Sequence, residues 1–267
     1  MTDLPDLVAS VPSRLGVTAQ FEDGELTLLL HPTPETSHLG SVRASVVSYV
    51  VDAVAGIILD DDPNCWTFTS DMSIRMRPVP AAECLRANAT VVRRGGRSAS
   101  CTVEVTDVGG EPIAVGALGF ARVPRREGDP PKPRVTPEET PALFRTLGRL
   151  TRPLREEAGI AVVDAAAGIV EVEVTPALCN SAGTLQGAMV ALIAEAAAED
   201  LLATSAGGPV LVTDLDLRYL GKAGTGTVRT RSRLLGTGSE APVEVELVHT
   251  ATGSTTTHAY VRGVPLS

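Results

Sequence analysis

The fold is decided by a stretch that runs Asn180-Ser-Ala-Gly-Thr-Leu-Gln-Gly187 and continues as Ala188-Met-Val-Ala-Leu-Ile-Ala-Glu195. Its first half is polar and contains two glycines, and its second half is an apolar helix with one carboxylate inside. The first N–H groups of a helix have no partner within the helix, so such a start suits a carbonyl oxygen or an anion. A carboxylate inside an apolar helix is costly to bury unless it has a partner or a function.

The composition is that of a globular protein rich in β-structure. The chain has 267 residues, of which 43% are hydrophobic and only 3% aromatic, and its net charge is −9. This length allows one large domain or two small ones. The acidic charge and the scarcity of aromatic residues argue against binding to nucleic acid or to an anionic membrane.

The cysteines and the N-terminal segment indicate a compartment. The four cysteines form no Cys-x-x-Cys pair, which predicts free thiols in a reducing environment. The first residues include neither a basic region nor an apolar stretch of signal-peptide length. No uncharged apolar run approaches the roughly 20 residues of a membrane-spanning helix. We therefore expect a cytoplasmic protein that does not enter a membrane.

The first half of the chain predicts a strand, a long helix and four further strands. The first strand covers Gly24–His31. The helix covers Leu39–Leu59 and is apolar almost all round, which is typical of a buried helix held in place by a sheet. Glycine turns between the later strands favour antiparallel hairpins. Those strands are Thr67–Met76, Cys84–Val92, Ser98–Thr106 and Pro112–Val123.

The second half repeats this order of elements. Gly40–Met76 aligns without a gap with Gly183–Tyr219, at an offset of 143, and Asp52 falls opposite Glu195. The pattern indicates an internal duplication. The elements are a strand at Gly168–Thr175, a helix at Thr184–Ala206 and strands at Val210–Leu220, Val228–Leu235, Val243–Thr250 and Thr255–Arg262.

These elements predict two α+β units. The N-terminal unit covers residues 1–123 and the C-terminal unit residues 155–267, each with a long central helix wrapped by an antiparallel sheet. The segment 124–154 between them starts with many prolines and charges. It predicts a linker, or a surface loop packed on the body, followed by a short helix at Leu143–Leu154.

The motif at the start of the second long helix resembles that of the PaaI-like acyl-CoA thioesterases of the hotdog superfamily. Their motif is Asn-x-x-Gly-x-x-His-Gly-Gly, with Asp or Glu on the helix nine residues after the His. This chain has Asn180, Gly183 and Gly187 in place, Gln186 where the family has His, and Glu195 at the acidic position.

The first half carries a degraded copy of the same motif. It spans Ser37–Ala44, and Asp52 stands at its acidic position. The resemblance thus covers both halves. It implies two tandem hotdog units that form a pseudo-dimer and hydrolyse an acyl-CoA thioester.

Helix geometry restricts where such a site can lie. Thioester hydrolysis needs a polarised carbonyl and an activated water. Gln186 and Glu195 are separated by about 13 Å of rise and two and a half turns, so they lie on opposite faces of the helix. One helix cannot supply both functions to one site. Two antiparallel helices at a pseudo-twofold interface can, as the resemblance to paired hotdog units also implies.

Combining the helix start of the second half with the carboxylate of the first gives one complete site. Asn180, Gln186 and Gly187 from the second half face Asp52 from the first, and Thr69 occupies the position of the family's accessory hydroxyl. We expect Asp52 to act as base or nucleophile and Thr69 to orient water. Asn180 and the Gly187 N–H are expected to polarise the carbonyl.

The other crossed site is weaker. It combines the Ser37–Ala44 segment with Glu195, and its hydroxyl position is Val212, although Thr213 lies one residue further on. We therefore expect a single working site, with Glu195 as the acidic residue of the second one.

The same residues also allow purely structural roles. Asp52 can be a buried carboxylate with an arginine partner, and Glu195 an ordinary helix acid. Asn180 can be a helix N-cap. Gln186 can simply fill the position of the family's His, and Thr69 can reflect the preference of threonine for strands.

A group of arginines near strand ends is the candidate for binding the phosphates of coenzyme A. A solvated sheet edge is the structural alternative. The four histidines lack metal-ligand spacing, so we expect no metal and no cofactor other than the coenzyme A of the substrate. The arginines are Arg75, Arg77, Arg93, Arg94 and Arg97.

The sequence therefore predicts an acyl-CoA thioesterase. A non-catalytic double hotdog that binds acyl-CoA or lipid is the main alternative, favoured by Gln186 and by the degraded first motif. A structural or assembly role is the third. Because the fused halves already form the interface, a monomeric pseudo-dimer and a homodimer both remain open.

Overall fold

Two long helices and one large antiparallel sheet make up most of the chain. The computed structural model describes residues 10–81, 83–129, 132, 135–238 and 241–266. The helices are α1 (Ala44–Leu59), α2 (Thr140–Phe144), α3 (Leu154–Glu157) and α4 (Gly187–Ala206). The strands are β1 (Val17–Glu22), β2 (Glu25–Leu30), β3 (Ser37–His38), β4 (Ser41–Val42), β5 (Cys65–Met76), β6 (Leu85–Arg94), β7 (Ser98–Asp107), β8 (Pro112–Pro124), β9 (Ala161–Asp164), β10 (Ile169–Val174), β11 (Val210–Tyr219), β12 (Gly226–Leu234), β13 (Val243–His249) and β14 (Ser254–Pro265).

Twelve of these strands form one sheet whose order is symmetric. The order is β1-β2-β6-β7-β8-β5-β11-β14-β13-β12-β10-β9, and β3 pairs with β4 separately. Reading inward from either edge gives the same succession of equivalent strands. The halves join where β5 pairs with β11, and there Ser73 lies opposite Asp216, 143 residues further along the chain. A pseudo-twofold axis therefore passes between these two residues.

Each half wraps its strands around one long helix. α1 begins at Ala44 and α4 at Gly187, which preserves the 143-residue offset. The β-branched residues of α1 are poor helix formers, so burial must hold the helix together. Val46, Val47 and Val51 are fully buried, and each such side chain contributes about 1.5–2 kcal/mol. The architecture confirms the predicted fold of two tandem hotdog units joined as a pseudo-dimer.

A β-bulge is repeated beside the two long helices. The register shifts between Thr69 and Asp71 on β5, and between Val212 and Asp214 on β11. A bulge adds one residue to a strand and re-aims the neighbouring side chains. In the first half, the hydroxyl of Thr69 consequently reaches Asp52 on α1. Val212, at the matched position, has no hydroxyl to offer.

Some boundaries differ from the prediction. α1 begins five residues later than expected, because residues 37–42 form the β3–β4 hairpin. At the tip of this hairpin, Leu39 and Gly40 occupy the left-handed region, with φ of 52° and 78°, which a helix does not accommodate. The sequence prediction also lacks β1 and β9, which form the two outer edges of the sheet.

The segment between the halves packs on the body of the protein. Lys132 donates hydrogen bonds to Asp60 and to the Cys65 carbonyl. The predicted helix at Leu143–Leu154 is wrong. The short helices α2 and α3 flank this region instead, because Pro153 disfavours a helical residue before it. The domain limits at 123 and 155 stay predictions, and residues 1–9 lie outside the described residues.

Gly116 on β8 approaches α1 too closely for a side chain. A Cβ there would lie 2.5 Å from Cγ1 of Val51. We expect Gly116→Ala to lower the free energy of unfolding by about 1–3 kcal/mol, because the methyl group overpacks the contact between helix and sheet.

Gly56→Ala, within α1, is the matched control. Beyond its own helix backbone and chain neighbours, no described heavy atom comes within 4 Å of the Cβ position. Helix propensity should therefore raise the free energy of unfolding by up to about 1 kcal/mol. Urea unfolding measures both variants, and effects of the same sign would contradict the packing argument.

Candidate active site

Five of the predicted site residues line one cavity at the boundary between the halves. The cavity has a volume of about 430 Å³, and Asp52, Thr69, Asn180, Gln186 and Gly187 all contribute to its wall. A neighbouring cavity of about 320 Å³ shares Asp52, Thr69 and Asn180 with it. Asp52 therefore lies where the two cavities meet. Residues from both repeats come together here, as the helix geometry predicts.

Asp52 projects from the third turn of α1 into this space. Its Oδ1 accepts a hydrogen bond of 2.5 Å from the Thr69 hydroxyl. Burial raises the pKa of Asp52 to about 6, and the bond from Thr69 opposes this shift. Among the described residues it has no ion-pair partner, unlike the paired carboxylate of the structural alternative. A carboxylate with this pKa can accept and release a proton near neutral pH.

The N-terminus of α4 faces Asp52 from the other half. A Cβ at Gly187 would lie 3.2 Å from Asp52 Oδ2, so glycine keeps the space in front of the carboxylate open. The first N–H groups of α4 have no acceptor within the helix, and the helix dipole adds partial positive charge. The site thus combines a proton acceptor from one half with hydrogen-bond donors from the other.

Two side-chain amides use their carbonyl oxygens to shape the start of α4. Gln186 is the N-cap, and its Oε1 accepts a 2.6 Å hydrogen bond from the Ala188 N–H. Asn180 Oδ1 accepts from the N–H groups of Ala182 and Thr184, at 3.0 and 3.3 Å. Asn180 therefore orders the preceding loop and does not cap the helix. Each amide keeps its NH₂ group as a donor at the cavity wall.

Tyr219 and Lys222 are two polar residues of the 430 Å³ cavity that the sequence does not predict as site residues. The Tyr219 hydroxyl donates a 3.2 Å hydrogen bond to the Gly187 carbonyl. Lys222 lies in a segment that looks like a simple turn, and its Nζ is 4.8 Å from the centre of the Phe68 ring. The alignment of the halves could have drawn attention to Tyr219, because its matched position in the first half is Met76, which has no hydroxyl group.

Glu195, which occupies the position equivalent to Asp52, has its carboxylate oxygens occupied by hydrogen bonds. Glu195 accepts hydrogen bonds from the N–H groups of Ala44 (2.8 Å) and Ser45 (3.3 Å), and from the Ser45 hydroxyl. Arg43 lies 3.8 Å from Glu195 and donates to both carboxylate oxygens of Glu199 at 2.9 Å. The sequence predicts Glu195 as the catalytic acidic residue of the second site. In the structure it is 1% exposed and caps α1, away from the two cavities at Asp52.

The predicted phosphate-binding arginines do not meet at the site. Arg75 forms ion pairs across the β5–β11 junction with Asp214 and Asp216, at 3.0 and 2.7 Å. Arg94 forms an ion pair with Asp61. The lining of the two cavities at Asp52 includes none of Arg75, Arg77, Arg94 and Arg97.

The described residues offer neither a helix for a membrane nor a side-chain cluster for a metal ion. No helix among them is both long and apolar enough to cross a membrane. They also contain no group of three or more His, Cys, Asp or Glu side chains that could hold a metal ion.

Comparison with known proteins identifies the fold. No protein-family model matches the chain, and no curated protein matches it. The tesB protein of Mycobacterium avium subs paratuberculosis is a similar solved structure, with 11% identity, coverage of 99% of this chain and 100% of that chain, and a TM-score of 0.60. An acyl-ACP thioesterase from Bacteroides thetaiotaomicron has 13% identity, coverage of 89% and 97%, and a TM-score of 0.61.

A third similar structure is of a protein described as having the hot dog fold. It is a conserved protein with the hot dog fold from Alicyclobacillus acidocaldarius, with 12% identity, coverage of 96% of this chain and 98% of that chain, and a TM-score of 0.59. At these identities the likeness shows the fold alone. It extends over nearly the whole chain, in agreement with the double hotdog.

The raised pKa of Asp52 predicts a change in stability when its charge is removed. The carboxyl titrates near its ordinary value of 3.8 in the unfolded chain and at about 6 in the folded one. Folding stability is therefore lost as the pH rises between these values. We expect Asp52→Asn to raise the free energy of unfolding by about 1–3 kcal/mol at pH 7.5.

At pH 4 the same substitution should have little effect, because the folded carboxyl is then protonated and already neutral. Thermal unfolding at the two pH values measures the difference. An equal gain at both would contradict an origin in the charge of Asp52.

Proposed function

We propose that this protein hydrolyses an acyl-CoA thioester to a free acid and coenzyme A, at the cavity between Asp52 and the start of α4. The observation that carries the proposal is a half-buried carboxylate of one half facing the helix N-terminus of the other, 3.2 Å from the Cβ position of Gly187. The structural neighbours are named as a tesB protein and an acyl-ACP thioesterase, which favours thioester chemistry. The motif from Asn180 to Gly187 supports the PaaI-like subtype and coenzyme A as the carrier.

In the proposed reaction, the thioester carbonyl oxygen lies at the start of α4, where the Gly187 N–H and the Asn180 amide donate to it. Asp52 takes a proton from water as the water oxygen bonds to the carbonyl carbon. The C–S bond then breaks, and Asp52 returns the proton to the departing thiolate. Negative charge grows on the carbonyl oxygen, so fixed donors stabilise the transition state more than the substrate.

The space around Asp52 suits a thioester, which has an acyl group on one side of its carbonyl carbon and a thiol carrier on the other. The two cavities that meet at this carboxylate provide room for the acyl group on one side and the pantetheine arm on the other. The proposed reaction needs no cofactor beyond the coenzyme A of the substrate. All of its residues come from one chain, so a monomeric pseudo-dimer is sufficient for the chemistry.

One observation favours a second candidate, a non-catalytic acyl-CoA-binding protein. Gln186 replaces the family's His, and its carbonyl oxygen is occupied by capping Ala188. Thiol release from a panel of acyl-CoA thioesters separates the two candidates. Turnover supports hydrolysis, and tight binding without thiol release supports the binding protein.

The two acidic positions should respond differently to loss of charge. We expect Asp52→Asn to lower kcat by about 10²–10⁴-fold, because it removes the proton acceptor. Glu195→Gln should keep kcat per folded molecule within about twofold, because the amide oxygen can still accept from the Ala44 N–H. Thiol release, corrected for the folded fraction by circular dichroism, measures both. The reverse pattern would move the active site to Glu195.

The pH dependence of hydrolysis should report the pKa of Asp52. Because the base must be ionised, kcat/KM should rise with pH and level off above about 6. Thr69→Val removes the hydrogen bond that stabilises the carboxylate, so the midpoint should move upward by about one pH unit. Thr67→Val, on the wall of the same cavity, is the control and should leave the midpoint in place. Identical midpoints in all three proteins would exclude Asp52 as the titrating group.

A further inference from the structure

Tyr219 and Asp52 approach the same side of Gly187. The point that a Cβ of residue 187 would occupy lies 3.2 Å from Asp52 Oδ2 and 3.3 Å from Tyr219 Oη. Oδ2 is the carboxylate oxygen that Thr69 leaves free, because Thr69 donates to Oδ1. The space in front of Gly187 is therefore bounded by a carboxylate oxygen, a phenol oxygen and the first turn of α4.

The hydrogen bonding of the phenol makes Tyr219 an acceptor toward this space. Its proton is directed to the Gly187 carbonyl oxygen, 3.2 Å away. Burial and the charge of Asp52 raise the pKa of Tyr219 well above its usual value, so the hydroxyl keeps its proton at neutral pH. A hydroxyl that donates once still has lone pairs with which to accept.

We propose that Tyr219 is a catalytic residue that positions the hydrolytic water in front of Gly187. The water donates one hydrogen to Asp52 Oδ2 and the other to Tyr219 Oη, which leaves a lone pair for the thioester carbon. The first hydrogen moves to Asp52 as the C–O bond forms, and the second stays on the new carboxyl group. This inference rests on the proposed hydrolysis and assigns the orientation of the water to Tyr219, because the Thr69 hydroxyl, which the sequence predicts in that role, donates its proton to Asp52 Oδ1.

The residues at the equivalent positions around Glu195 lack the groups that could hold a water. Tyr219, Gly187 and Thr69 each have a counterpart 143 residues earlier or later in the chain. At those counterparts there is no hydroxyl, and the position of Gly187 is filled by a methyl group. The counterparts are Met76, Ala44 and Val212. Of these two equivalent positions, the one beside Asp52 has the groups that could hold a water.

A double-mutant cycle tests the proposal. Tyr219→Phe should lower kcat about 10- to 100-fold and leave KM within about twofold, because the water loses its orientation and the substrate keeps its contacts. Gly187→Ala places a methyl group in the water's position and should also lower kcat. The backbone accepts alanine here, since Ala44 begins α1 in the same way. The added Cβ would lie 3.2 Å from Asp52 Oδ2 and 3.3 Å from Tyr219 Oη, so these side chains must shift by a few tenths of an ångström. Once the water is displaced, adding Tyr219→Phe to Gly187→Ala should change kcat by less than about twofold.

The controls separate a chemical role from a structural one. Tyr260→Phe changes an exposed tyrosine on β14 and should leave kcat unchanged. Thermal unfolding shows whether each variant is folded. If the effects of Tyr219→Phe and Gly187→Ala multiply, or if Tyr219→Phe changes only the melting temperature, Tyr219 merely anchors the start of α4 and the inference is overturned. Absence of thiol release by the wild-type protein would overturn the proposed hydrolysis itself, a distinguishable result.

Discussion

The structure depends on one repeated contact, in which the N-terminus of each long helix faces a carboxylate from the other half. α1 starts against Glu195 of α4, and α4 starts against Asp52 of α1. The pairing of Ser73 with Asp216 sets the axis that brings both contacts into place. Partial positive charge at a helix start attracts an anion, and removal from water opposes this attraction. The groups that surround each carboxylate distinguish the two contacts.

The two copies of this contact have diverged in opposite directions. Glu195 accepts from two backbone N–H groups and a hydroxyl, and Arg43 lies beside it, but burial and the neighbouring Glu199 still raise its pKa. Asp52 accepts one described hydrogen bond, from Thr69, and its pKa is raised to about 6. A poorly compensated carboxylate costs stability and is for the same reason a stronger base. Both carboxylates are thus costly to bury, and the two contacts differ in access. The oxygens of Glu195 are occupied at the start of α1, while Asp52 faces a cavity.

Much of this arrangement could be predicted from sequence, because its causes are local or periodic. The 143-residue repeat and the nine-residue spacing from Gln186 to Glu195 require a crossed site, and the cavity at Asp52 has that composition. The ion pairs of Arg75 could not be predicted, because they depend on the register of β5 against β11. The hydrogen bond from Tyr219 to Gly187 likewise requires knowing where β11 ends relative to α4. Sequence patterns identify the elements, and side-chain partners follow only from their packing.

A single pair of matched positions accounts for much of the divergence. Arg43 is the N-cap of α1 and Gln186 is the N-cap of α4, 143 residues later. The cation at the first position donates to Glu199 and lies beside Glu195, and it opposes the rise that burial causes in the pKa of both carboxyls. A cation at the second would favour the ionised form of Asp52 and lower its pKa, which would make it a weaker base near neutral pH. Gln186 caps α4 without adding charge, so Asp52 meets no cation at this position.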